Sequence, residues 1–414
     1  MMDEDSLHTF EISPMRHRRS TATTMEARVL ELIASGQATT RTELARELAA
    51  PASTVSLAVG QLVDRGLVAE YGTQASTGGR PRKTLRLGGV DEFAIAADLG
   101  GRHARIGAVL PGGAVADVST VAFDISSGPE RALAALADAL TAVADARGTG
   151  TLRGVGVALP GPVNVEEGKV DRPSRMPGWN GFPVASWLEE RFGVTAAVDN
   201  DANCMALAEL TVQPSDRRQF IMVKAGSAIG AGIVVDGHLY RGATGAAGDI
   251  THVRIDAAGD APCSCGNTGC LETLASGAAL VGTLQSQGLA LESSEDVARL
   301  VSEGDPRATQ AVRRAGKYLG EVLSANVNFF NPDAVYLGGI LSTLDPFVAA
   351  VRSQLYEGCH PLVTEHLTIA RASLGADAGM IGAGVSALGF ALTRALQSAN
   401  SSASNAVRDH AGIR

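Results

Sequence analysis

The chain has 414 residues, 45% of them hydrophobic and 19% charged, with a formal net charge of −9 and five cysteines. That length accommodates two or three domains with cores of their own, and the composition excludes fibrous and low-complexity classes. The odd number of cysteines forms no paired framework, no apolar run approaches the roughly 18 residues of a membrane span, and MMDEDSLHTF lacks the basic-then-apolar order of a signal peptide, so a cytoplasmic protein is expected.

Charge divides the chain. Residues 1–88 carry 11 Lys and Arg against 10 Asp and Glu, and the remainder 24 against 34, so the net charge comes from the larger part. Within the first part the acids gather at Asp3, Glu4, Asp5 and Glu11, whereas Gly72 to Gly88 holds Arg80, Arg82, Lys83 and Arg86 and no acid. A basic stripe of this kind attracts a phosphate backbone.

Residues 1–20, with Arg16, Arg18 and Arg19, read as a disordered arm. A helix is expected from Thr24 to Ala34, with Met25, Val29, Leu32 and Ile33 on one face and a capping box from Thr23 to Glu26. A second starts at Thr40 with Glu43 in the matching place and Leu44, Ala45 and Leu48 inward. The third runs from Ser53 to Arg65, with Val55, Val59, Leu62 and Val63 inward, and stops at Gly66. LVAEY, the loop TQASTGGRPRK and TLRL then read as a two-stranded wing. Helix, helix, turn, helix and wing make a winged helix-turn-helix domain over residues 21–88. Ser53, Thr54, Ser56 and Gln61 supply the small polar outward face that a recognition helix needs in the major groove. Arg80, Arg82 and Lys83 are the expected wing contacts, with Arg80-Pro81-Arg82 shaped for a narrow minor groove. The alternatives are a helical bundle with a solvated polar face and a loop that touches phosphates only.

From Phe93 the texture changes to short apolar strands, Gly-rich turns and amphipathic helices. FAIAADLGG and ARIGAVL read as a hairpin, Pro129 to Ala146 as a helix, LRGVGVALPGP as a buried strand and FPVASWLEERFG as another helix. FIMVKAGSAIGAGIVVDGHLY repeats the hairpin about 120 residues later, which implies a duplicated α/β fold with a cleft between two lobes. Glu292 to Glu303 and Pro306 to Phe330 read as scaffold helices, and residues 399–414, small and polar, as a disordered tail. Cys204 and Cys359 read as inert, partly buried thiols.

His252 followed by Cys263, Cys265 and Cys270 has the donor set and spacing of a structural zinc site, because Zn2+ prefers four nitrogen and sulfur ligands in a tetrahedron. Gly266 and Gly269 allow the tight turns that bring three sulfurs together. Free thiols or a disulfide are the alternative, and CxC neighbours bridge badly.

The motifs DLGG at Asp98–Gly101, ALPGP at Ala158–Pro162, PGWN at Pro177–Asn180 and VDNDAN at Val198–Asn203 occur in one order with GAAGDITH at Gly245–His252, the cysteine cluster ending in Glu272, and YLGG at Tyr336–Gly339. Together they resemble the ROK family of repressors, open reading frames and sugar kinases, and within it the transcriptional regulators with an N-terminal winged helix. The resemblance implies an actin-like, two-lobed, RNase-H-like domain over residues 89–398. It also implies sugar contacts from Asn180, Asn200, Asp201, Asp249, His252 and Glu272, with His252 serving both metal and ligand. Carboxylates and amides suit vicinal hydroxyls, because a missing hydroxyl leaves a buried polar group unpaired.

In the family's kinases the aspartate matching Asp201 is the general base. Here the phosphate loops depart from the kinase pattern: DLGGRH puts Arg102 where a threonine belongs, GSAIG puts Ala228 where a glycine belongs, and Gly338-Gly339-Ile340 shortens a glycine run. A side chain at a backbone-to-phosphate approach obstructs the ligand, so Asp201 is expected to be a vestigial base and the domain not to act as an enzyme. GDITH in place of GEIGH also draws a carboxylate back by one methylene, about 1.3 Å, which takes a hydrogen bond out of range; either the loop shifts, a different ligand fills the space, or sugar sensing is weakened. The expected function is a DNA-binding regulator, a repressor, working at the nucleoid as a dimer or tetramer on operator DNA and controlled by a sugar or sugar phosphate; the alternative is a cytosolic ATP-dependent sugar kinase with an appended domain.

Overall fold

A computed structural model describes residues 24–34, 38–74, 82–87, 92–213 and 217–411. Residues 1–20, expected as a disordered arm, and Arg80 lie outside these residues, as does Thr23 of the expected first capping box.

The N-terminal unit consists of α1 (Met25–Ala34), α2 (Arg41–Glu47), α3 (Ala52–Asp64) and the antiparallel pair β1 (Val68–Gln74) and β2 (Arg82–Leu87). Thr24 Oγ1 accepts the Ala27 N–H at 3.2 Å at the start of α1. The box at α2 forms as expected: Thr40 Oγ1 accepts the Glu43 N–H and the Glu43 carboxylate accepts the Thr40 N–H, which satisfies two orphan donors. Beyond α3, Gly66 takes φ +69°, a left-handed turn that suits a residue without Cβ. Val29, Leu30, Leu44, Val55, Val59 and Leu62 are buried together with Val68 and Leu85 of the wing. The Leu85 N–H also donates to Thr39 O at 2.6 Å, which fixes the wing against the turn before α2.

Two lobes of the same design follow. The first contains β3 (Glu92–Leu99), β4 (His103–Val109), β5 (Val115–Ala122), α4 (Pro129–Ala146), β6 (Thr151–Leu159), the small pair β7 (Val163–Asn164) and β8 (Lys169–Val170), α5 (Val184–Phe192), β9 (Thr195–Asn200) and α6 (Asp201–Val212). The second contains β10 (Phe220–Ala225), β11 (Ile229–Val235), β12 (His238–Tyr240), α7 (Glu272–Ala275), α8 (Gly277–Ser286), α9 (Ser294–Ser302), α10 (Pro306–Phe330), β13 (Ala334–Gly338), α11 (Asp345–Gly358), α12 (Pro361–Thr364), β14 (Thr368–Arg371) and α13 (Ala378–Ala411). The sheets run β5-β4-β3-β6-β9 and β12-β11-β10-β13-β14. In each the first three strands in sequence are antiparallel neighbours and the last two join parallel, so β3 and β10 are equivalent. The repeat expected from the two hairpins is therefore structural.

Each sheet has a core on its outer face. Between the sheets, α6 and α13 pack against residues of both, including Ala96, Val109 and Ala158 from one and Phe220, Met222 and Tyr336 from the other. Their approach is close enough that a Cβ on Gly382 would lie 1.8 Å from Cys204 O.

Helix α13 corrects two expectations. Its backbone stays helical to Ala411, so residues 399–411 are not a disordered tail. SANSSASNAVRDHA has no Gly or Pro to stop a helix, and small polar residues alone do not end one. In addition, Gly375–Ala395 is long and apolar enough to span a membrane by composition, with mean hydropathy 1.3. It is 61% buried within the protein, where it serves as the helix between two sheets, and that position demands the same composition. It also reaches α1, and Leu392 is buried in the core of the N-terminal unit. Cys204 and Cys359 are fully buried, at 2% and 7% exposure, beyond the partial burial expected, and burial pushes both thiols up.

Candidate functional site

The cleft floor is built where the two equivalent strands end. Asp98 stands near the end of β3, Asp201 opens α6, and Lys224 arrives from the other lobe on β10. Lys224 Nζ donates to Asp201 Oδ2 at 2.5 Å and lies 4.0 Å from Asp98 Oδ1. Burial raises the Asp98 carboxyl to about 6, against the pull of the Lys224 ammonium. Burial works against the charge on Lys224, but Asp201 and Asp98 outweigh it and raise the amine above its ordinary value. Beside them, Asp199 accepts from Arg241 at 2.6 Å and from Asn203 Nδ2 at 2.9 Å. Asn200 is occupied structurally: its Oδ1 caps α6 by accepting from the Ala202 and Asn203 N–H groups, and its Nδ2 donates to Gly161 O at 3.2 Å.

The cleft mouth centres on Glu272, buried at 2% exposure. Glu272 Oε2 accepts the Ile229 N–H at 3.2 Å, and Oε1 lies 2.6 Å from Arg175 Nη2. Arg175 comes from the turn between β8 and α5 on the first lobe and also donates to Ser227 O at 3.4 Å on the second, so it bridges the lobes. Burial raises the Glu272 carboxyl, and Arg175 and then His252 oppose the shift while Asp249 adds to it, which places Asp249 and His252 within its electrostatic reach. Asp249 is exposed. Asn180 lies on the same turn as Arg175, exposed, its Oδ1 accepting the Arg172 N–H at 2.8 Å. The structure thus gathers Asp249, His252 and Glu272 at the mouth and Asn200 and Asp201 at the floor, with Asn180 on the turn that reaches over them.

Lys224 and Arg175 went unnoticed in the sequence. Lys224 left a signal, a lone charge inside the apolar strand FIMVKA, where an unpaired lysine is very seldom buried. Arg175 left none, being one more basic residue in a Pro- and Gly-rich turn.

In the loops that depart from the kinase pattern, Arg102 and Ser227 are exposed and Ala228 half-buried. Gly339 is held by geometry: it has φ +79°, and a Cβ there would lie 2.5 Å from Ala225 O.

His252, Cys263, Cys265 and Cys270 converge, one ligand atom from each lying within 4.8 Å of all the others. A tetrahedral zinc with Zn–S near 2.3 Å and Zn–N near 2.05 Å sets S···S at about 3.8 Å and S···N at about 3.5 Å. Cys265 Sγ and Cys270 Sγ are 3.8 Å apart, and Cys263 Sγ is 3.5 Å from His252 Nδ1. The residues fit zinc, and the sulfur separation is far from the roughly 2.05 Å of a disulfide. Gly266 at φ +92° and Gly269 at φ +75° make the turns that close the loop. Glu272 follows the last cysteine by two residues, so the loop also positions the cleft mouth.

On the N-terminal unit Ser53, Thr54, Ser56 and Gln61 are all exposed along α3. Arg82 opens β2. Lys83 is exposed but not free: its amine bonds the Glu70 carboxylate, which Arg41 Nη1 also engages at 2.6 Å.

A duplicated sheet pair closing on a cleft of carboxylates and amides defines a two-lobed domain of the sugar-kinase type, here joined to a helical unit with a wing. The chain belongs to the ROK family, whose model matches residues 94–389. It is 31% identical to a glucokinase of Halalkalibacterium halodurans over 71% of this chain and 94% of that one. It is 32% identical to the DNA-binding transcriptional dual regulator NagC of Escherichia coli K12 over 72% of this chain and 75% of that one. A crystal structure of a ROK family transcriptional regulator, a homologue of the E. coli MLC protein, superposes with TM-score 0.70 and 26% identity over 89% of this chain and 96% of that one.

Proposed function

We propose that the chain is a sugar-responsive, DNA-binding transcriptional repressor in which α3 and the wing read an operator and the interlobe cleft takes a sugar or sugar derivative. The observation that carries this reading is the extent of the likeness. Superposition with the structure of a ROK family glucokinase from Streptomyces griseus covers 71% of the chain, about the span of the family domain, whereas superposition with the regulator covers 89% and so includes part of the winged unit. Exposed polar residues on α3 and basic residues on the wing support DNA binding. Two copies per operator are expected, because one recognition helix with its wing covers too little DNA for a selective site.

In the cleft, Asp201, Asp249, His252 and Glu272, with the amide of Asn180, would read the hydroxyls, while Asn200 holds the strand-to-helix junction beside them. Glu272 can do so only when Arg175 gives way, so ligand entry competes with an ion pair between lobes and favours one lobe arrangement over another. Structural zinc, held by His252, Cys263, Cys265 and Cys270, would keep His252 and Glu272 in register. The domain is not expected to phosphorylate its ligand, because Arg102 and Ala228 stand where the phosphate loops of the kinases carry a threonine and a glycine. The test is binding of the purified protein to its own upstream DNA, titrated with sugars and sugar phosphates, with ATP turnover followed in parallel. A sugar that shifts DNA affinity without ATP consumption is the expected result. Sugar-dependent ATP consumption without DNA binding at low salt would establish the kinase instead.

A further inference from the structure

Two carboxylates from the first lobe converge on one amine from the second. Neither can swing away. Asp201 Oδ1 accepts the Ala202 N–H at 2.7 Å in the first turn of α6. Asp98 is backed by α13, where a Cβ on Gly379 would lie 2.3 Å from its Oδ2. Asp98 Oδ1, buried, has no hydrogen-bond partner among the described residues, and the Lys224 ammonium lies 4.0 Å from it. A pair of fixed carboxylates, one with an unsatisfied oxygen, is the donor set of a hard divalent cation, which phosphoryl transfer from a nucleotide requires. Such a cation would sit about 2.0 to 2.6 Å from each oxygen. The ammonium already lies 2.5 Å from the Asp201 oxygen and 4.0 Å from the Asp98 oxygen, so a bridging cation would have to stand against its positive charge.

We infer that Lys224 is a built-in counter-ion standing where a phosphoryl-transfer enzyme keeps its divalent cation, and that replacing its amine uncovers a Mg2+- or Mn2+-binding site formed by Asp98 and Asp201. The charges support the exchange. With Lys224 the floor carries two carboxylates and one ammonium, and an added divalent cation would meet a like charge at contact distance. Without it the two carboxylates are left uncompensated, which a single divalent cation neutralises. The inference deepens the reading of the cleft as a sensor: a resident amine ties the lobes together at the floor and lets the cleft hold a ligand without metal and without turnover.

Mn2+ is the probe, because it prefers oxygen ligands and leaves the thiolate and imidazole cluster to zinc. Free Mn2+ would be followed by electron paramagnetic resonance at about pH 8 on the full chain, with zinc retained, for the parent, Lys224→Met and Lys224→Met/Asp98→Asn. The parent is expected to leave Mn2+ in solution. Lys224→Met is expected to take up a single Mn2+ at least roughly ten-fold more tightly, and the double variant to lose it again. Lys224→Thr serves if the methionine variant does not fold, as judged by circular dichroism. Uptake by the parent that Asp98→Asn abolishes, or no gain in the folded single variants, would overturn the inference. The measurement uses neither DNA nor sugar, so its failure would leave the repressor reading standing, and failure of DNA binding would leave the metal result intact.

Discussion

Gly382→Ala tests how tightly the two lobes are held to the helices between them. The new Cβ would stand 1.8 Å from Cys204 O, 2.5 Å from its carbonyl carbon and 2.9 Å from its Cα, all backbone atoms of α6. Ordinary contact begins near 3.4 Å, so α13 and α6 must part by about 1.5 Å, against sheets already packed on both. Helix propensity alone would favour alanine by about 1 kcal/mol, whereas overpacking costs about 1–3 kcal/mol where side chains can yield and more where backbone must move. The expected net effect is a loss of about 2 kcal/mol or more. Gly389→Ala, in the same helix, has nothing within 4 Å of its Cβ and is expected to gain up to about 1 kcal/mol. Urea denaturation of the parent and both variants, followed by tryptophan fluorescence, reads the opposite signs directly, since Trp179 is buried in the first lobe. A Gly382→Ala variant as stable as the parent would refute the close approach of α6 and α13 and with it the rigid placement of Asp201.

Three further outcomes are expected. Cys270→Ser should abolish the zinc content measured by inductively coupled plasma mass spectrometry, whereas Cys359→Ser, which is not one of the four converging residues, should leave it unchanged; zinc retained in the first variant would remove the site. Asp98 has its carboxyl raised from 3.8 to about 6 by burial, against Lys224, with Asp201 adding to the rise and His103 opposing it. The folded chain thus holds this proton more tightly than the unfolded one, so Asp98 favours folding below about pH 3.8 and that contribution is lost as the pH rises to about 6. Asp98→Asn should remove this component from a stability–pH profile, and an unchanged profile would count against the burial argument. Arg82→Ala should weaken DNA binding to all sequences alike and lower the slope of log K against log salt by about 0.9; an unchanged slope would take Arg82 off the phosphate backbone.

Where periodicity and turn chemistry agreed, the sequence was sufficient. The bounds of α4 and α10 follow from a proline at the first helical position and an apolar stripe, and the capping box at Thr40 from two residue types at fixed spacing. The convergence of His252, Cys263, Cys265 and Cys270 was legible for a similar reason, since these residues are close in sequence and chemically unusual. What could not be read depends on contacts between distant segments. Arg175 and Glu272 are far apart in sequence and meet only once the lobes close. Asn200 matched a sugar-binding position by motif, yet its carbonyl is committed to capping α6, a demand visible only when the strand-to-helix junction is seen. Leu392 gave no hint that it belongs to the core of the winged unit, because an apolar residue in a helix does not declare which domain it covers.

That misplaced leucine has a mechanical consequence. Gly379 touches the carboxylate at the cleft floor and Leu392 is lodged among the helices of the winged unit, and the two lie on one continuous helix. Thirteen residues at 1.5 Å each make a rigid arm of about 20 Å, so a tilt of about 5° at the floor would carry the far end by roughly 2 Å. The winged unit is therefore not hung from the rest of the chain by its linker alone. It is mounted on a lever whose fulcrum lies between the lobes, and the two ends of the polypeptide, far apart in sequence, share a single load path.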